Sequence, residues 1–204
     1  MRFEELEEMV GNQSIEQEWE ECDRADRMLQ LLGQMAGTPG WPSRQQVILL
    51  ECDCAETVLG FIPEGEHRPK EAIIAARKWA NGEDISPAHL RNAADAAAAY
   101  AVSSAYADAT YAAYAAAAVA NAAANAAYAA ASYAAASYAA DADAAAVASY
   151  AADADAAAAY EAAYDDYPSE DYASYAAEAA RDKKLRELAD LIRTQVHPKF
   201  SISK

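Results

Sequence analysis

The sequence predicts an all-α protein, a multi-helix bundle with long alanine-rich helices. Three observations predict it. Between residues 91 and 160 there are 42 alanines in 70 positions, and alanine has the highest helix propensity of any residue. No glycine or proline interrupts the chain from Ala88 to Tyr164. Outside that run, the chain is divided by helix starts and stops of the Ser-Pro, Pro-Gly and Asn-Gly kind.

The elements follow in order. Phe3 to Val10 reads as a short acidic helix closed by Gly11-Asn12. Ser14, with Gln17 at the capping-box position, opens a helix carrying Trp19, Met28, Leu29 and Leu32, which Gly37-Thr38-Pro39-Gly40 ends. Ser43 caps a helix with Val47, Ile48, Leu50, Val58, Leu59 and Ile62, stopped by Pro63. Pro69 opens Lys70 to Ala80, with Ile73, Ile74, Ala76 and Trp79 on one face, and Asn81-Gly82 closes it. Ser86-Pro87 begins the alanine-rich half. One helix from there to Tyr164 would exceed about 100 Å at 1.5 Å per residue, and its tyrosines would not hold one stripe. Breaks capped by Ser103 or Ser104, by Asp108, and by Asn121 or Asn125 are therefore expected. Pro168-Ser169-Glu170-Asp171 restarts a helix that runs to about Val196, with an apolar stripe of Leu185, Leu188, Leu191 and Ile192. Residues 1–40 form acidic N-terminal helices and residues 41–204 the alanine-rich bundle, the two expected to fold as one compact unit.

An alanine methyl buries little area, worth only a few tenths of a kcal/mol at about 25 cal/mol per Å². The core is therefore expected from Trp, Leu, Ile and Val in the first half. In the second half it is expected from tyrosine, since all thirteen tyrosines lie between Tyr100 and Tyr175.

Charge narrows the choice of partner. The chain has 33 acidic and 16 basic residues, a net charge of −17. No Lys or Arg lies between Arg91 and Arg181, a span with twelve Asp and Glu. Such a surface repels nucleic acid and anionic lipid and attracts basic proteins. The last helix reverses sign locally through Arg181, Lys183, Lys184, Arg186 and Arg193, which suits neutralisation of acidic neighbours within the bundle. Cys22, Cys52 and Cys54 suit reduced thiols rather than a disulfide framework. The N-terminus lacks the pattern of a signal peptide, and no apolar stretch qualifies as a membrane span. A cytoplasmic protein is expected.

Catalytic chemistry is missing. His67, His89 and His197 lie far apart without an i, i+4 partner. There is no phosphate-binding glycine loop, nucleophile elbow or Cys-His pairing, so neither an enzyme nor a cofactor or metal is expected. Ser137 to Ala146 reads SYAADADAAA and recurs without change from Ser149 to Ala158. The repeat makes Tyr138, Asp141, Asp143, Tyr150, Asp153 and Asp155 candidate binding residues. Aspartates two apart on a helix face different ways, so they do not form a metal pincer; a solvated acidic face is the plainer reading.

The segment Glu51-Cys-Asp-Cys-Ala-Glu-Thr-Val-Leu, followed by His67-Arg-Pro-Lys-Glu-Ala-Ile-Ile-Ala-Ala-Arg-Lys-Trp-Ala-Asn-Gly-Glu83, resembles the immunity proteins of bacterial polymorphic toxin systems. Arg68, Pro69, Ala72, Ile73, Ala75, Ala76, Arg77, Trp79 and Gly82 match that family's pattern in order, over roughly 35 residues. Alanine- and tyrosine-rich variants of the pattern also resemble proteins carried by bacteriophages. The acidic N-terminal helices and the duplicated Tyr-Asp segment depart from the family. The resemblance implies stoichiometric inhibition by binding and makes Arg68, Arg77 and Trp79 candidates, although an Arg-Pro helix start and a Trp anchoring the bundle are the plainer reading of them.

Three functions follow as expectations. The first is an inhibitor or immunity-type protein that binds a basic surface on a toxin or defence protein. The second is an acidic nucleic-acid mimic blocking a DNA-binding enzyme, without itself binding nucleic acid. The third is a sponge for a nucleotide signal, with a tyrosine-lined pocket reached by Arg68, Arg77 or Arg91. An ice-binding helix is excluded, because Thr110 is the only threonine in the run. A homodimer packed through Tyr and Ala faces is expected, with the Asp141–Asp155 carboxylates outside.

Overall fold

The computed structural model describes residues 15–107, 111–135, 140–166 and 169–198, so the expected first helix and its Ser14 neighbour lie outside it. The described residues form helices and a single 3-10 turn, with no strands. In order they are α1 (Ile15–Glu21), α2 (Ala25–Met35), α3 (Arg44–Glu56), a 3-10 turn (Leu59–Phe61), α4 (Arg68–Ala80), α5 (Pro87–Ala107), α6 (Tyr111–Ala134), α7 (Ala140–Asp166) and α8 (Glu170–Gln195). The long helices α5, α6, α7 and α8 pack each against the next as one layer. The shorter helices form a second layer across it: α4 lies on α5 and α6, α3 on α6 and α7, and α2 on α7 and α8. No described helix is long and apolar enough to cross a membrane.

Local chemistry sets most boundaries. Ser43 Oγ accepts from Gln46 N (3.2 Å) while Gln46 Oε1 accepts from Ser43 N (2.8 Å), a complete capping box at the start of α3. Ser86 Oγ accepts from His89 N at the start of α5. Gly82 holds φ +85° just past α4, a left-handed conformation that glycine adopts without penalty.

Four expectations fail, each for a physical reason. The helix expected to carry both Trp19 and Leu32 splits between Glu21 and Ala25. Arg193 of α8 donates to the Trp19 and Cys22 carbonyls and so takes the acceptors at the end of α1. The helix expected to reach Ile62 stops at Glu56, where Thr57 Oγ1 donates to Cys54 O (2.7 Å). Ser103, Ser104, Asn121 and Asn125 cap nothing. Ser103 and Ser104 hydroxyls donate back to the Tyr100 and Ala101 carbonyls, and Asn125 Nδ2 donates to Asn121 O, all within helices. Asp108 lies outside the described residues.

The fourth concerns the core. Its largest fully buried side chains are Trp19, Met28, Leu29, Leu32, Ile48, Leu50, Ile73 and Leu90, joined by Leu185, Leu188 and Ile192 of α8. Among the described residues tyrosine fills the second half only in part: Tyr100 and Tyr133 are buried and Tyr128 and Tyr150 pack against the core, whereas Tyr114, Tyr164, Tyr172 and Tyr175 are exposed. Alanine fills most of it. Ala122, Ala123, Ala126, Ala127, Ala129 and Ala130 are all at 0% exposure on α6, because α6 is covered by α5, α7, α3 and α4 and its thin side chains allow close axes. One cluster runs from Trp19 through the α6 alanines to Val196.

Candidate functional site

Arg68, Arg77 and Trp79 all sit on α4, and each is held by the fold. Arg68 Nη2 lies 2.6 Å from Glu66 Oε2, and its Nε donates to Glu66 Oε1 (2.8 Å). This fork holds the Glu66 carboxyl down to about 2, from 4.5. The same guanidinium lies 5.0 Å over the Tyr100 ring, joining the start of α4 to α5. Arg77 Nη2 lies 2.6 Å from both Asp53 and Glu56 and so clips α4 to α3. Trp79 stacks on Tyr133 at 6.4 Å between centroids. Tyr133 in turn donates to Gly33 O (3.2 Å) and lies under the Arg44 guanidinium at 5.2 Å. These three residues therefore tie helices together and do not converge on one cavity.

Cys52 and Cys54 are fully buried, and burial pushes both thiols up from their ordinary range. They are buried together, although two apart, because α3 is covered by α4, α6 and α7 at once. Among the described residues no cluster of His, Cys, Asp and Glu could hold a metal ion.

The repeat behaves differently in its two copies. The side chains of Tyr138, Asp141 and Asp143 lie outside the described residues. In the second copy, Tyr150 and Asp153 meet in a groove of about 560 Å³ between α5, α6 and α7. Ala101, Ala117, Ala118 and Ala157 form its thin walls, and Val102, Tyr114, Tyr150, Asn121 and Asp153 supply its larger and polar groups. Val102 and Tyr114 are exposed at its edge. The sequence reading missed Tyr114 and Asn121; their seven-residue spacing on α6 puts them on one stripe, but only the tertiary register brings that stripe to Tyr150 and Asp153.

The carboxylates of this copy are not simply solvated, as expected, but held by α8. Arg181 Nε donates to Asp153 Oδ1 (2.8 Å) and Arg181 Nη2 to Ser149 Oγ (3.2 Å). Lys184 Nζ lies 3.5 Å from Asp155 Oδ2. Further along, the end of α7 and the start of α8 expose Asp165, Asp166, Glu170, Asp171 and Glu178. Unlike Asp153 and Asp155, none of these pairs with a described cation. Tyr160 and Tyr164 stack there at 6.2 Å, and Tyr172 and Tyr175 are 56% and 74% exposed. None of the groove's described residues is Lys or Arg, and Arg68 and Arg77 are engaged elsewhere. Compared with known proteins, the chain matches no family model, no curated protein and no solved structure.

Proposed function

We propose that this protein acts by binding and neutralising a protein with a basic surface, as an immunity-type or anti-defence inhibitor without catalytic activity. One observation carries the reading. The cations of α8 neutralise the middle of α7, while the carboxylates around the α7–α8 connection, interleaved with exposed tyrosines, are left uncompensated. Carboxylates steer and pair with Lys and Arg, and exposed tyrosines supply contact area and cation–π faces. The resemblance of residues 51–83 to toxin immunity proteins supports the inhibitory role.

The other two readings have less support. A phosphate-like row of carboxylates is interrupted where Asp95 accepts from Tyr128 and where Asp153 and Asp155 meet cations. A nucleotide sponge would need a cation in the tyrosine-lined groove. Affinity capture from bacterial lysate tests the proposal. The expected result is a basic protein retained stoichiometrically and released as salt rises. Retention that is indifferent to ionic strength, or capture of acidic proteins only, overturns it.

A further inference from the structure

We infer that the groove between α5, α6 and α7 receives an arginine side chain of the basic partner, placing its guanidinium against Asp153 between Tyr114 and Tyr150. This rests on the reading above and specifies where such a partner is gripped. The chain's own contacts show the chemistry. Arg181 reaches Asp153 from α8, so the carboxylate in this wall of the groove already accepts from a guanidinium. Asp153 gives only Oδ1 to Arg181; its Oδ2 has no hydrogen bond to a described residue, and the side chain is 44% exposed. Twice elsewhere a guanidinium of this chain lies over a tyrosine ring, Arg44 on Tyr133 and Arg68 on Tyr100. The groove repeats the components of the second, where Arg68 also pairs with Glu66: tyrosine beside a carboxylate, with alanine walls that leave room for an aliphatic stem. A planar fork of donors suits Asp153 with Asn121 better than an ammonium does. Stacking of Tyr160 and Tyr164 one to two turns further along the same face of α7 extends the track toward the acidic end of the helix.

Arg181 is then an internal competitor for Asp153, which separates this site from general surface charge. The probe is a fluorescent octa-arginine peptide, titrated by anisotropy against the full chain, with octa-citrulline as the uncharged isostere. Asp153→Asn is expected to weaken binding about tenfold, whereas Asp84→Asn, an equal charge change in the exposed turn after α4, changes it less than about twofold. Arg181→Ala is expected to strengthen binding about three- to fivefold, and Arg186→Ala, an exposed cation on the same helix, markedly less. Ala157→Leu keeps charge and helix propensity but fills the groove, and is expected to weaken binding as Asp153→Asn does. Thermal melts confirm that each variant is folded.

Equal effects of Asp153→Asn and Asp84→Asn, together with an inert Ala157→Leu, overturn the groove assignment while leaving the basic-partner reading intact. Absence of octa-arginine binding at low salt overturns both. A self-association by light scattering that Ala157→Leu abolishes would overturn it in favour of a second copy as the occupant.

Discussion

Glu66 carries the clearest pH signature in the molecule. Its carboxyl, held to about 2 by the Arg68 fork against an ordinary 4.5, is a depressed acid. Its stabilising contribution is therefore fully present above pH 4.5 and is lost as the pH falls toward 2. Glu66→Gln is expected to flatten the acid limb: between pH 5 and pH 2.5 the variant loses less melting temperature than the parent, while their difference at pH 7 stays small because Arg68 is on the surface. An identical acid limb in both proteins would contradict this. Tyr133 is the second residue-scale test. Its hydroxyl donates to Gly33 O from a ring at 8% exposure, so Tyr133→Phe should cost about 1 kcal/mol in denaturant unfolding. Signals set within a few residues were legible in the sequence: the caps Ser43 and Ser86, and Gly82 past α4. Arg193 on the Trp19 carbonyl and Arg181 on Asp153 were not, because residues 174 and 28 positions apart meet only once the bundle is built.

Among the elements, α6 departs furthest from expectation. Its asparagines looked like caps and instead lie inside a continuous helix of 24 residues: α5, α7, α3 and α4 bury the rest of the helix, while Asn121 and Asn125 sit on its half-exposed stripe, and that packing outweighs their local preference. Such a helix tolerates no added volume. Ala126→Leu, at 0% exposure, is expected to destabilise by about 1–3 kcal/mol through overpacking, whereas Ala179→Leu on the exposed face of α8 should be close to neutral. Denaturant midpoints decide it; equal stability of both variants would mean the alanine interfaces are loose. The duplicated decapeptide teaches the same lesson. Its second copy lies wholly inside α7, while the first straddles the start of α7 and residues outside the described set. Identical letters thus occupy different positions in the fold, and sequence pattern alone gives no reason for the difference.

For the whole molecule, fold class was written in composition and punctuation: an alanine run without glycine or proline, framed by caps, becomes three long helices that with α8 form a layer under shorter ones. The distribution of charge was equally legible, since the cation-free stretch from Arg91 to Arg181 is a property of the chain itself. Which of its carboxylates remain uncompensated was not. That depended on the register of α8 against α7, which neutralises Asp153 and Asp155 and leaves the acids near the connection open. Tyr150 and Asp153 were legible as candidates, and their meeting with Tyr114 and Asn121 was not, because it depends on how α6 lies against α7.

The most direct measurement is the salt dependence of the dissociation constant of the captured complex. It should be made for the parent chain and for a variant with Asp165, Asp166, Glu170, Asp171 and Glu178 changed to their amides. The expected result is steep weakening with rising salt for the parent, a shallower slope for the variant, and convergence of the two at high salt. A slope that is flat for the parent, or unchanged by removing the five carboxylates, would contradict binding through this acidic surface.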